Sequence, residues 1–95
     1  MKIACDTGVS RAAIEVLQQH GHEVVYWAST EPDEWWFKDA SAKGAEVFVS
    51  NDWDIILMAD EHGKERVHLR NGIAGSKQAE PILRGLRKID GRKHA

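Results

Sequence analysis

A pattern that occurs three times constrains the fold of this chain most: a basic residue and a glycine, then a short run rich in β-branched residues. The three glycines are Gly21, Gly44 and Gly63. Glycine readily adopts the positive φ that commonly ends a helix, and β-branched residues favour strands. The glycines lie 23 and then 19 residues apart, the length of one compact helix–strand unit. The chain is therefore predicted to alternate strands and helices.

A further apolar run, residues 2–5, opens the chain and gives the order β-α-β-α-β-α-β with a final helix. Ser10 is a good N-cap for the first helix. The apolar stripe of that helix consists of Val9, Ala12, Ala13, Val16 and Leu17. Alternating strands and helices favour a parallel sheet with right-handed crossovers. The predicted fold is α/β: a three-layer α/β/α domain with a four-stranded parallel sheet in the order 2-1-3-4.

The length of 95 residues predicts one domain. Residues 1–90 are expected to form it, with a mobile loop at residues 71–77 and a final helix that follows Pro81. Residues 91–95 are expected to be a basic, disordered tail. The single cysteine excludes an intramolecular disulfide, and no apolar run approaches the roughly 18 residues that span a membrane. With no signal-peptide pattern at the start, the chain is expected to be cytoplasmic.

Acidic residues follow the first and third predicted strands. Asp6 ends the first, and residues 50–54, Ser-Asn-Asp-Trp-Asp, end the third. In the order 2-1-3-4 these strands are neighbours on either side of the topological switch point, where parallel sheets collect functional groups. Crowded carboxylates repel one another unless a cation neutralises them, and oxygen ligands suit Mg²⁺ or Mn²⁺. Asp6, Asp52 and Asp54 are therefore the predicted metal ligands.

Residues 51–54 have a second interpretation, as an ordinary helix start. Asn51 would be the N-cap, Asp54 at the third helical position would reach back to it, and both acids would favour the positive end of the helix dipole. Asp6 is also a common residue type in the turn after a strand. Both interpretations of these acids remain open at this point.

The order and spacing of these motifs resemble the compact PIN-like domains, a branch of the PIN ribonuclease superfamily often linked to toxin–antitoxin loci. The resemblance covers residues 1–70 and rests on residues 2–6, 17–25, 32–40 and 47–54. It implies a Mg²⁺- or Mn²⁺-dependent endoribonuclease that cleaves RNA phosphodiesters. A catalytically inactive PIN-like module that binds RNA or a protein is the alternative.

The resemblance also implies roles for individual residues. Asp6 corresponds to the acid after the first strand and Asp33 to the acid of the second helix, with Glu34 as its alternative. Asp52 and Asp54 correspond to the paired acids after the third strand. The implied catalytic residues are thus Asp6, Asp33, Asp52 and Asp54.

Two departures from the family pattern concern the substrate side. Thr7 and Gly8 follow the first aspartate, where the family usually has an acid or amide. Ile55 replaces an aromatic residue, and Trp53 stands where a basic or polar residue is usual. Trp53 could stack on a nucleobase or pack in the core or an interface. The residues expected to contact RNA are Ser50, Asn51, Trp53 and Arg11.

The charge of the chain is unevenly distributed. Residues 81–95 carry five lysines and arginines against one acid, and the other residues carry eight against fourteen. A basic end on an acidic body indicates a polyanionic partner, although a solvated tail would have the same composition. The expected partners are RNA, an antitoxin protein if the chain is a toxin, and a second copy of the chain. No membrane contact is expected.

Overall fold

Four strands form the centre of the fold in the computed structural model, which describes residues 1–27 and 33–93 (for residues 33 and 93, the backbone alone). The strands are β1 (Lys2–Cys5), β2 (Glu23–Trp27), β3 (Val47–Ser50) and β4 (Glu65–His68). All the pairings between them are parallel, and their order is β2-β1-β3-β4. The predicted sheet is confirmed, with its switch point between β1 and β3.

Helices cover both faces of the sheet. They are α1 (Arg11–Gln19), α2 (Asp33–Ala42), α3 (Trp53–Glu61) and α4 (Ala79–Lys93), and a short 3₁₀ helix (Gly75–Lys77) precedes the last. Helices α1 and α4 share one apolar core with the sheet, and α2 and α3 share another. This is the predicted three-layer arrangement. Within the described ranges, no helix is long and apolar enough to cross a membrane.

The continuous apolar run of β3 follows from its position between the two cores. Val47 and Val49 contact the core under α1 and α4, whereas Phe48 contacts the opposite core. The Phe48 ring lies 4.4 Å from that of Phe37, centroid to centroid. Because side chains alternate across a strand and both faces are covered, every position of β3 is buried.

Glycines with positive φ follow the first three helices and precede the next strands, as the sequence predicts. Gly21, Gly44 and Gly63 have φ of +84°, +89° and +67°. The apolar stripe of α1 differs from the prediction, because Ala12 is exposed and Ile14 is buried in its place. Ala13 and Ile14 lie four and three residues before Leu17, so the buried face keeps the helical spacing. The predicted stripe was counted from Val9, which precedes the helix, and this placed Ala12 on the buried face.

Helix α4 is longer than the sequence indicates at both ends. It begins at Ala79, so Pro81 lies within its first turn. Proline is tolerated there because the N–H that it lacks would have no partner within the helix. It continues to Lys93, so residues 91–93 of the expected disordered tail are helical. Arg92 ties this end to β4 through an ion pair of 2.7 Å with Glu65. Residues 94–95 lie outside the described part.

Candidate functional site

The ends of β1 and β3 meet directly after Cys5 and Val49. The backbone N–H of Asp6 donates to the carbonyl oxygen of Val49 over 3.0 Å, which extends the parallel pairing by one residue. Asp6 therefore begins the turn after β1 at the edge where β3 also ends. The predicted convergence of the first and third strand ends is present at the level of the backbone.

Ser50 joins the two strand ends through its side chain. Its residue is fully buried, and its Oγ donates a hydrogen bond of 2.6 Å to Oδ2 of Asp6. The same Oγ accepts a hydrogen bond of 2.9 Å from the backbone N–H of Asp52. A hydroxyl can donate once and accept as well, so both directions of its bonding are used. Ser50 thereby connects Asp6 to the start of α3.

Thr7 holds the other oxygen of the Asp6 carboxylate. The Thr7 backbone N–H and Oγ1 donate to Oδ1 of Asp6 over 2.5 and 3.0 Å. Asp6 thus receives three hydrogen bonds that fix its orientation at the strand end. At this position, where the sequence departs from the family pattern, the threonine supports the aspartate.

Helix α3 begins one residue later than the capping pattern predicts. Asp52, not Asn51, is the N-cap, and its Oδ1 accepts a hydrogen bond of 2.9 Å from the N–H of Asp54. The reason is the bond from the Asp52 N–H to Ser50, which keeps Asp52 extended at φ −98° and ψ 119°. Asp54 lies in the first turn of α3, where its charge favours the helix dipole.

Asn51 covers the turn that follows β1. A Cβ added to Gly8 would lie 2.7 Å from Nδ2 of Asn51, closer than real contacts allow. The amide of Asn51 can lie there only because position 8 has no side chain. The predicted substrate residues Ser50 and Asn51 are therefore both at the turn that carries Asp6.

Trp53 and Arg11 lie on the surface near this edge. Trp53 is 60% exposed, and its ring stacks on that of His68, with centroids 4.0 Å apart. It is not a core residue. The Arg11 guanidinium lies over the Trp27 ring, 5.6 Å from its centroid. The structure therefore places Trp53 at the start of α3 and Arg11 against β2.

Of the two acids that the sequence offers on the second helix, Asp33 and Glu34, the structure describes the side chain of Glu34 alone. The side chain of Asp33 lies outside the described part of the chain. Glu34 lines a cavity of about 290 Å³ with residues of the C-terminal half of α3, among them Met58 and His62. Glu34 is therefore beside the end of α3, whereas the Ser50 bond lies at its start.

Three carboxylates near the ends of β1 and β3 are the candidate ligands of a divalent cation. Asp6, Asp52 and Asp54 offer oxygen atoms, which suit Mg²⁺ or Mn²⁺. Among the side chains that the structure describes, however, no group of three or more histidines, cysteines, aspartates and glutamates lies close enough together to hold a metal. The donors have suitable chemistry, but the described side chains do not assemble a three-ligand centre.

Cys5, next to Asp6, is not a candidate nucleophile. Burial, with a smaller contribution from the charge of Asp6, raises the pKa of its thiol to about 12. The thiol is therefore protonated at neutral pH, and the thiolate is the reactive form.

The side chain of Gln78, which the sequence analysis did not identify, forms hydrogen bonds with the backbone of the turn that follows β1. Its Oε1 accepts a hydrogen bond of 2.8 Å from the N–H of Ser10, and its Nε2 donates over 3.0 Å to the carbonyl of Gly8. Ser10 Oγ, the N-cap of α1, also donates over 2.8 Å to the carbonyl of Gly75. The segment expected to be a mobile loop is thus anchored on the turn that carries Asp6. No local pattern distinguishes Gln78 from a surface glutamine.

Comparison of the chain with protein-family models, curated proteins and solved structures found no match.

Proposed function

We propose that this protein is a divalent-metal-dependent endoribonuclease whose site lies at the ends of β1 and β3. The observation that carries the proposal is the 2.6 Å bond from Ser50 to the Asp6 carboxylate at the switch point of a parallel sheet. Open parallel sheets bind ligands at this switch point, and phosphoryl transfer depends mainly on positioned charges, so an acid fixed here supports the proposal. The resemblance of residues 1–70 to PIN-like domains supports the same activity.

The chain's own contribution would be positioning and charge. Asp6, Asp52 and Asp54 would be the ligands of Mg²⁺ or Mn²⁺, with Asp33 as a further acid from α2, and the three carboxylates would have to move together on binding, since they form no three-ligand group in the structure. The bound ion would supply an activated water and stabilise charge on the phosphate oxygens. Ser50 and Thr7 keep the Asp6 carboxylate in one orientation. The exposed ring of Trp53 could stack on a base of the RNA, worth roughly 1–3 kcal/mol.

A non-catalytic binding module is the second candidate, and one observation favours it. The Asp52 carboxylate caps α3, so its role can be structural. In the described part of the chain no three-ligand group surrounds it. In this alternative the same surface would bind RNA or a protein without cleaving it.

Partners and location belong to the proposal as well. RNA would be the substrate, and the toxin role in a toxin–antitoxin pair would require a protein antitoxin. A homodimer and a cytoplasmic location are compatible with this role. These assignments rest on the resemblance and on the uneven charge of the chain.

Cleavage of a fluorescently labelled single-stranded RNA by the purified chain, with Mg²⁺, with Mn²⁺ and with chelator, tests the proposal. Asp6→Asn should abolish cleavage, because it removes a ligand charge but keeps the shape. Asp39→Asn is the matched control, since Asp39 is an exposed acid of α2 that pairs with Lys43 at 3.4 Å. Equal cleavage by Asp6→Asn and wild type would show that Asp6 does not belong to the catalytic site. RNA binding without cleavage under every metal condition would establish the binding module instead.

A further inference from the structure

A groove of about 680 Å³ runs between β4 and α4, on the far side of the sheet from β2. β4 is the last strand of the sheet, so one of its edges is unpaired. The N–H of Leu69 donates to the carbonyl of Ser50 over 2.8 Å, toward β3. Backbone groups alternate in direction along a strand, so those of Arg66 and His68 point to the open edge. An extended chain could pair with them.

The groove is lined by positive charge. Arg84, Lys88 and Arg92 lie four residues apart on one face of α4, and Arg66 is on β4. No acidic side chain of the described residues lines the groove. Each of the three arginines forms a rim pair, meaning an ion pair with an acid that does not line the groove: Arg66 with Asp60 at 3.0 Å, Arg84 with Glu80 at 3.9 Å and Arg92 with Glu65 at 2.7 Å.

These rim pairs are exposed and therefore weak, so they can exchange for acids of a partner. Within residues 1–27 and 33–93, Lys88 forms no ion pair and is already free to accept one. The cations lie on both faces of β4. Those of α4 are on the face that α4 covers, and Arg66 is on the opposite face, where it pairs with Asp60 of α3. A strand added to β4 would meet positive charge with both sets of its alternating side chains.

We propose that this groove binds an extended, acidic segment of a partner protein, which pairs with β4 as a fifth strand. The open edge supplies backbone hydrogen bonds, and the cations select for acidic side chains. A second copy of the chain fits less well, because two β4 edges related by a two-fold axis would bring the same cations together. An RNA backbone would satisfy the charges but could not pair with the strand edge. This inference does not depend on RNA cleavage.

Two variants, Lys88→Glu and Gly91→Phe, change the groove, and Arg87→Glu is the control outside it. Lys88→Glu reverses a charge inside it, and Arg87→Glu makes the same change at the next residue, which lines a different cavity with His22 and Leu83. Gly91→Phe fills the groove sterically, because a Cβ at Gly91 meets no heavy atom within 4 Å. Thermal melting of all three variants first establishes that each is folded.

The probe is a synthetic peptide of alternating glutamate and valine. One control peptide has lysine for glutamate. A second has two consecutive prolines between glutamates and the same number of glutamates, which keeps the charge and interrupts the backbone donors along both edges of the peptide. Titration is followed by NMR of the ¹⁵N-labelled chain at low ionic strength, with hydrogen exchange of the Arg66 and His68 amides as a second readout. We expect the acidic peptide to shift and protect these two amides. Lys88→Glu and Gly91→Phe should weaken binding about tenfold or more, and Arg87→Glu should change it little.

Four results would overturn the proposal. The proline peptide could bind as tightly as the acidic one, which would reduce the site to charge alone. An oligouridylate could shift the same amides at lower concentration, which would assign the groove to RNA. Sedimentation could show a dimer that Gly91→Phe dissociates, which would assign it to a second copy. The acidic peptide could leave the Arg66 and His68 amides unchanged, which would exclude strand addition.

Discussion

Ser50 donates a hydrogen bond of 2.6 Å to the carboxylate of Asp6, and 44 residues separate the two along the chain. The bond joins the ends of β1 and β3, which are neighbours in the sheet although a complete strand and two helices lie between them in sequence. The position of Asp6 at the candidate site thus depends on a residue of another strand.

Ser50→Ala is expected to destabilise the fold by about 1 to 3 kcal/mol, because it leaves the N–H of Asp52 and an oxygen of Asp6 without this partner. Ser41→Ala is the matched control. Ser41 Oγ is buried and has no hydrogen-bond partner among the described residues, so its removal should be neutral or stabilising. Urea unfolding of the two variants measures the difference. Equal stabilities would show that the Ser50 bonds contribute little.

Asp52→Asn separates the capping role of Asp52 from its proposed catalytic role. Asparagine caps helices about as well as aspartate, so the free energy of unfolding should change by less than about 0.5 kcal/mol. Loss of the charge should lower RNA cleavage by at least about a hundredfold. Both are measured on one preparation, with Asp39→Asn as the control for charge. A variant that is less stable but cleaves normally would assign Asp52 to capping alone.

Gly85→Ala tests how closely α4 lies on β4. A Cβ at this position would be 2.9 Å from Cγ1 and Cγ2 of Val67, so the strain of about 1–3 kcal/mol should exceed the gain of about 1 kcal/mol in helix propensity. At Gly91 an added Cβ meets open space, so Gly91→Ala should instead be stabilising. Melting temperatures that move in opposite directions are expected. A stabilising Gly85→Ala would show that Val67 can move aside.

His22 makes stability depend on pH. Burial, the N-terminal ammonium and His20 lower the pKa of His22 below its usual 6.5, and Asp90 opposes them. The unfolded chain then binds the proton more tightly, so the contribution is present above the unfolded pKa and is lost as pH falls through the folded pKa.

The free energy of unfolding, measured from about pH 7.5 to pH 5, should fall less steeply for His22→Gln than for wild type. Acetylation of Met1, whose ammonium lies 3.2 Å from Nδ1 of His22, should remove part of the slope by itself. Identical slopes in all three proteins would mean that His22 does not report on folding.

The sequence was sufficient for the topology, because its signals are local. A basic residue followed by a glycine with positive φ ends each of the first three helices, and the run of β3 is apolar because both faces of a parallel strand are covered. These two signals predict the strand order and bring Asp6 and Ser50 to one edge. Helix boundaries were less predictable, since Asn51 and Asp52 are equally good caps. The hydrogen bond that the Asp52 N–H donates to Ser50 Oγ decides between them.

The rest of the site depends on contacts between distant segments. Gln78 could not be recognised, because both of its partners lie about seventy residues away and hydrogen bonds of this kind leave no periodic pattern. The groove beside α4 was also not anticipated. The basic residues were evident in the sequence, but their position along an open strand edge follows from the sheet order.

The bonds of Gln78 to the turn after β1 bear on how the protein is made. Residues emerge from the ribosome from the N-terminus, and a chain folds as its segments become available. The turn that carries Asp6 emerges well before Gln78, which follows 68 residues behind Ser10. A nascent chain that has completed all four strands therefore still lacks the two hydrogen bonds of Gln78 to this turn. The candidate site should mature only after the segment that carries Gln78 has left the ribosome.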